Sequence, residues 1–275
     1  MTDDGRPSSP GNAAPRDRVD VRTPNVARMY DYYLGGKDNF AADRETAAKM
    51  LETVPEARVV ARENRAFLGR AVRFLAGEAG IRQFVDIGTG LPTQENTHEV
   101  AQAARPDSRV VYVDNDGVVL IHARALLATD SQTVVVEGDM RDPAEILAEP
   151  GLRAHIDLDQ PVAVLLVSVL HFVPDDADAA RIIATIRDAI APGSYLVLSH
   201  GTTFVEEKAG GLTQVYDRAT SSITLRSRDQ LLRLFDGFEL VDPGLVVLQD
   251  WRPDTPPGPE SRAGSWFYAA VGRKP

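Results

Sequence analysis

A short apolar run that ends in two glycines one residue apart constrains this chain more than any other feature: Gln83-Phe84-Val85-Asp86-Ile87-Gly88-Thr89-Gly90. Its β-branched bias predicts a buried strand. The glycines that follow permit a tight turn and close approach of the backbone to a ligand. A Gly-x-Gly alone fits an ordinary strand-to-helix turn equally well, and Asp86 is what narrows the choice. A dinucleotide would bring its pyrophosphate to this loop, where the Asp86 carboxylate would repel it. S-adenosylmethionine (SAM) carries a sulfonium and an ammonium but no phosphate, so nearby negative charge suits it. The third glycine of the dinucleotide fingerprint is also missing, because the chain continues Leu91-Pro92-Thr93.

The spacing downstream points the same way. Residues 109–113 read as a second buried strand ending at Asp114, 28 residues after Asp86. A carboxylate there can accept two hydrogen bonds from ribose hydroxyls, in NAD as readily as in SAM. A third strand, 133–136, runs into Gly138-Asp139-Met140, where Asp139 can accept from an adenine amine and Met140 can pack on the ring. A fourth, 162–167, leads to Ser168 and His171. In an open parallel sheet ligands bind beyond the carboxyl ends of the strands, and all these polar groups fall there. The expected cofactor set is therefore Asp86, Gly88, Thr89 and Gly90 at the methionine end, Asp114 and Asn115 at the ribose, and Gly138, Asp139 and Met140 at the adenine. Ser168 joins from the fourth strand, and Tyr30 from the N-terminal segment.

The series Val85-Asp86-Ile87-Gly88-Thr89-Gly90, Asp114, Gly138-Asp139 and Leu170-His171 resembles the motif series of class I SAM-dependent methyltransferases, from about residue 80 to the C-terminus. The stretch Asn25-Val26-Ala27-Arg28-Met29-Tyr30-Asp31-Tyr32-Tyr33-Leu34-Gly35-Gly36-Lys37-Asp38-Asn39-Phe40, with Leu91-Pro92-Thr93 and Asn96, is similar to the actinobacterial S-adenosyl methyltransferase family DUF574. The resemblance implies SAM as cofactor and methyl transfer as the reaction. It also implies an α/β Rossmann-like sandwich: a mostly parallel seven-stranded sheet, helices on both faces and an N-terminal helical lid. It names no acceptor.

Composition removes several classes. Thirty basic against forty acidic residues give a net charge of −10, which argues against a general nucleic-acid or anionic-membrane surface. With no cysteine there are no disulfides, thiolate nucleophiles or Cys-based metal sites. No His-x-x-x-His or carboxylate–His pair has metal spacing, so no metal is expected. No apolar run approaches the ~20 residues that span a bilayer, and the N-terminus lacks a signal-peptide core. The expectation is a cytoplasmic enzyme acting on a small molecule, without nucleic-acid or membrane partners and with no indicated oligomeric state.

Residues 1–22 are rich in Pro, Ser, Gly, Asp and Arg and read as a disordered tail. Residues 23–78 read as a helical lid segment, with helices near 43–52 and 56–77, and residues 79–275 as the cofactor-binding domain. Further helices are expected from a capping box at Asn96-Thr97-His98-Glu99, near 117–128, 142–149 and 175–190, and after Ser227-x-x-Gln230. A fifth strand covers 194–199, and terminal strands cover 238–241, 245–248 and 266–271, split by a Pro-rich loop at 253–259. Residues 202–226 sit where this fold inserts substrate-contacting structure.

Methyl transfer from a sulfonium is an in-line displacement that asks mainly for positioning and exclusion of water. His171 follows a buried strand at the cofactor end and reads either as a base or as a hydrogen-bonded wall residue, and His200 has the same ambiguity. His98, His122 and His155 read as solvated. Tyr33, Lys37 and Asp38, in a segment too polar for mere packing, are candidates for the acceptor site, with Tyr33 also a catalytic candidate. Tyr216 and Arg226 are candidates by position alone. Two other readings stay open. An NAD(P)-dependent oxidoreductase is disfavoured by Thr93, Asp86 and the lack of a Tyr-x-x-x-Lys pair near the fourth or fifth strand. A SAM-binding regulator without turnover would carry the same cofactor motifs.

Overall fold

The computed structural model describes residues 20–92, 95–128, 130–203 and 223–275. Three helices come first: α1 (Val26–Leu34), α2 (Ala41–Thr53) and α3 (Ala57–Gly77). An alternating series follows, β1 (Gln83–Ile87), α4 (Thr97–Ala104), β2 (Arg109–Asp114), α5 (Gly117–Leu126), β3 (Thr133–Glu137), α6 (Pro143–Ala148), α7 (Pro150–His155), β4 (Ala163–Val167), α8 (Asp176–Ala189) and β5 (Tyr195–Gly201). After the helix Arg228–Arg233 come β6 (Glu239–Leu240), β7 (Val246–Val247) and β8 (Phe267–Arg273).

The sheet order is β3-β2-β1-β4-β5-β8-β6, with β7 also paired to β8. Strands β1 to β5 pair in parallel, and β8 runs antiparallel to β5, β6 and β7. The eighth strand, one more than the seven expected, arises because the edge beyond β8 is broken. The Asp242-Pro243-Gly244 turn separates β6 from β7, and each pairs with a different stretch of β8.

The parallel strands are mainly apolar, as suits a sheet covered on both faces. Successive side chains point to opposite faces. Phe84, Val110, Tyr112, Leu165 and Val197 therefore join one apolar cluster with α3 and with Met29 and Met50 of the N-terminal helices. Val85, Val111, Val113, Val164 and Leu198 join the other, with Ile146, Leu152, Ile182 and Leu231 from the opposite helix layer. Segment 23–78 thus shares one core with the sheet. None of the described helices is long and apolar enough to cross a membrane.

Several polar positions of the N-terminal segment are used internally. Asn25 caps α1, accepting from the N–H groups of Ala27 and Arg28. The Arg28 guanidinium is buried against Asp43 at 2.8 Å. Gly35 ends α1 in the left-handed region at φ 83°, and a Cβ on Gly36 would overlap the Asp31 carboxylate. The capping boxes at Asn96 and Ser227 form as expected. Helix α7 and the short helix Pro259–Arg262 are additional; each opens on a proline in its first turn.

Candidate functional site

The strand order reverses between β1 and β4, and the crevice at their carboxyl ends is where an open α/β sheet binds ligands. A cavity of about 420 Å³ opens there. Gly88, Thr89 and Gly90 line it from the β1 loop, Asp114 and Asn115 from β2, Gly138, Asp139 and Met140 from β3, and Ser168 and His171 from β4. Asp86, Tyr30 and Tyr33 reach the same space.

The glycine loop is latched to the end of β2. Gly88 and Gly90 adopt φ 74° and 67°, a region that favours glycine. The Gly88 N–H donates to the Val113 carbonyl at 2.8 Å. The Gly90 N–H donates to one oxygen of Asp114 at 2.9 Å, and the Asp116 N–H donates to the other at 3.0 Å. A carboxylate oxygen carries two acceptor sites, so capacity is left for hydroxyl donors. Burial pushes the Asp114 carboxyl up to about 6, against the lowering effect of these N–H groups. Asp86 is buried, accepts from the Thr97 hydroxyl at 2.7 Å in the first turn of α4, and is likewise raised by burial. Asp139 is different, because Arg141 grips it with two guanidinium nitrogens and Asn115 donates to it at 3.2 Å. Arg141 holds its carboxyl below the usual range. Arg141 itself lines the cavity, and the sequence reading missed it.

Ser168 takes φ 58° without being glycine, a conformation that costs on the order of 1–3 kcal/mol. A relay of hydrogen bonds holds it. The Ser168 N–H donates to the Ser199 hydroxyl at 2.8 Å, which donates to Asn64 Oδ1 at 2.6 Å. Asn64 Nδ2 donates to the Tyr30 hydroxyl at 3.0 Å, and that hydroxyl donates to the Ala61 carbonyl at 3.0 Å. Ser199 lies in a mainly apolar strand and Asn64 among the charged residues of α3, and nothing local in the sequence marks either.

His171 sits in the 3-10 turn Leu170–Phe172, buried, with its ring edge-on to Phe267 at 5.5 Å and Phe172 at 4.3 Å. Its Nδ1 is buried with no hydrogen-bond partner among the described residues. Burial pushes its pKa well below the histidine range, and neighbouring His200 and Arg226 push the same way. The ring is neutral at neutral pH and a weak base.

Four acceptor-site candidates fall outside the cavity lining. His200 has both ring nitrogens in use, on the Gly201 carbonyl at 2.7 Å and on Arg226 Nη1 at 2.8 Å. With a guanidinium as donor, Nε2 accepts and Nδ1–H donates, and burial pushes its pKa to about 3. Arg226 is buried, bonds Asp176 and the Val173 carbonyl at 2.8 Å each, and ties β5 to the start of α8. Lys37 is exposed. Asp38 lies 3.7 Å from His122 Nε2, on the outer side of the segment. His98, expected in solvent, is buried against the Tyr112 hydroxyl, 2.8 Å from its Nδ1. Tyr216, Thr93 and most of the 202–226 insertion lie outside the described residues, as do residues 1–19.

A family model described as S-adenosyl methyltransferase matches residues 12–275. The crystal structure of a protein from Thermobifida fusca YX, provisionally classed as a methyltransferase, is 44% identical, with a TM-score of 0.88 over 96% of this chain and 99% of that one. A DUF574 family protein from Streptomyces avermitilis is 43% identical, with a TM-score of 0.89 over 94% of this chain and all of its own. The N-methyltransferase NodS of Bradyrhizobium japonicum WM9, in complex with S-adenosyl-L-homocysteine, shares the fold alone at 14% identity, with a TM-score of 0.51 over 91% of this chain and 99% of that one. No protein of curated function matches the chain.

Proposed function

The chain belongs to the S-adenosyl methyltransferase family, of the DUF574 type, and is a SAM-dependent methyltransferase; we propose that it methylates a small molecule held beside the strand ends of β1, β4 and β5. Asp86 and the Gly88-Thr89-Gly90 loop hold the methionine end, Asp114 and Asn115 the ribose, and Gly138, Asp139 and Met140 the adenine. Asp114 is the observation that carries this assignment. Its two oxygens are fixed by backbone N–H groups at the cavity edge, and burial raises its pKa, so further donors would stabilise the charged form. Ribose hydroxyls supply donors of that kind.

Bound there, SAM supplies a methyl group on a cationic sulfur. The chain's own contribution is electrostatic and steric. Asp86 and Asp114 offer negative charge at one end of the cavity, and α1 with Tyr30 and Tyr33 closes the other side against water. Family membership sets aside the oxidoreductase reading. A net charge of −10 supports an acceptor other than nucleic acid, and a cytoplasmic setting goes with this reading. Calorimetry decides the cofactor. Heat is expected for SAM and S-adenosylhomocysteine and none for NAD, and the reverse result would sink the assignment.

A further inference from the structure

The glycine loop has charges of both signs beside it. Asp86 stands near the end of β1 and lines the cavity. Arg65 lines the same cavity from α3 and is half-buried. Its Nη2 donates at 3.1 Å to the carbonyl of Glu95, the residue just before the cap of α4, so the guanidinium is fixed at the far end of the loop. Burial raises the Asp86 carboxyl, while the Thr97 hydroxyl and then the Arg65 guanidinium lower it. Burial also raises the Tyr30 hydroxyl, and Arg65 again opposes it. Arg65 therefore acts on groups of both β1 and α1, at the end of the cavity where the methionine part of the cofactor is placed. The other arginine of the lining, among the described residues, is Arg141, which is engaged with Asp139 at the adenine end.

Resting on the methyltransferase reading above, we propose that Arg65 binds the carboxylate of the cofactor's methionine end, so that Asp86 and Arg65 together recognise a complete α-amino acid and the site rejects adenosyl ligands that lack the carboxylate. The methionine end carries a negative charge as well as a positive one. Asp86 and Asp114 suit the ammonium but repel the carboxylate. Moving that carboxylate into a partly closed cavity without a cation beside it is costly. A guanidinium matches it, being planar, permanently charged and able to give two parallel N–H bonds. The bond to Glu95 holds the Arg65 head against the glycine loop before any ligand arrives, so little side-chain freedom is lost on binding. Arg65 is then a specificity residue for the methyl donor and takes no part in the transfer itself. The choice it imposes is between sulfonium compounds: SAM is accepted and decarboxylated SAM is refused.

The test titrates three adenosyl thioethers into the full chain by calorimetry: S-adenosylhomocysteine, its aminopropyl analogue without the carboxylate, and its carboxypropyl analogue without the ammonium. The unmodified protein should bind S-adenosylhomocysteine at least about tenfold more tightly than the aminopropyl analogue. Arg65→Met should weaken S-adenosylhomocysteine and the carboxypropyl analogue by at least about tenfold and leave the aminopropyl analogue within about twofold. Arg65→Lys keeps the charge without the fork, so the same pattern is expected at smaller size, and it serves if Arg65→Met does not fold. If Arg65 only braced the loop through Glu95, its replacement would weaken all three ligands alike, and that result overturns the proposal. An aminopropyl analogue that binds the unmodified protein as tightly as S-adenosylhomocysteine overturns it too, with no variant needed. Absence of any S-adenosylhomocysteine binding would remove the methyl-transfer reading and this proposal with it, whereas binding without discrimination would remove this proposal alone.

Discussion

Asp114 is held by backbone donors in a pocket that raises its pKa to about 6, and that fixes how binding should respond to pH. Hydroxyl donors favour the charged carboxylate, so a bound ribose lowers this pKa. Affinity for S-adenosylhomocysteine should then be full above pH 6 and weaken as pH falls below it, by up to about tenfold per unit. Asp114→Asn should flatten that slope between pH 5 and 7 and lower affinity by at least about tenfold at neutral pH. A slope that survives the substitution would assign the titration to another group, with Asp86, also raised by burial, first in line. Asp86 and Asp114 are legible in the sequence because a carboxylate at the end of an apolar run has a local signature. His98 and His200 are not, since their partners Tyr112 and Arg226 come from other elements. Their burial is decided by packing, which spacing does not report. Lys37 and Asp38 mislead for the opposite reason. The polarity of their segment serves internal bonds through Arg28, Asp31 and Asp43, and these two project outward.

At the scale of elements, the site depends on joints between segments distant in sequence. The Tyr30 hydroxyl connects α1 to α3 and stands at the head of the relay to Ser168. Tyr30→Phe leaves the ring in place but strips a partner from Asn64, which is buried. The expected cost is about 1–3 kcal/mol, read as a fall of several degrees in Tm; an unchanged Tm would show the relay to be idle. The Arg226–His200 joint is testable by a double-mutant cycle. Arg226→Met should destabilise by about 1–3 kcal/mol for each of two buried acceptors, His200 Nε2 and the Val173 carbonyl, that lose their donor. His200→Phe in that background should cost less than it does alone, and strict additivity would mean that the two do not act as a pair. Gly88→Ala combines a left-handed φ with overlap on Val169, so a loss of folded protein is expected, visible as reduced soluble yield and Tm. Helices with caps written locally, as at Asn96 and Ser227, were legible. The short proline-led helix α7 was not, because six residues carry too little periodicity to register.

At the scale of the whole molecule, the sheet reads out cleanly because each parallel strand is apolar on both faces and ends in a polar loop. The relation of the N-terminal helices to the site was less legible, since arm and lid draw on the same aromatic residues. They touch both the core and the cavity. Met29 and Met50 sit in the same apolar cluster as Phe84 of β1, whereas Asn25, Ala27, Tyr30 and Tyr33 line the cavity, which is where a lid would act. Asn25 Nδ2 also donates to Asp116 at 2.6 Å, tying the start of α1 to the cap of α5 next to Asp114. A ligand that fills the cavity contacts α1 and the strand ends together, so α1 cannot open locally without releasing it. Binding to the closed form alone should therefore suppress opening by the factor that mass action sets, about 100-fold at a ligand concentration 100 times Kd. Amide exchange across 26–34 should slow to that extent in the presence of S-adenosylhomocysteine, while α8, on the opposite layer, stays unchanged. Should the amides near Gly90 and Asp116 slow while those of α1 do not respond, α1 would be a packing arm, and Tyr30 and Tyr33 would leave the site.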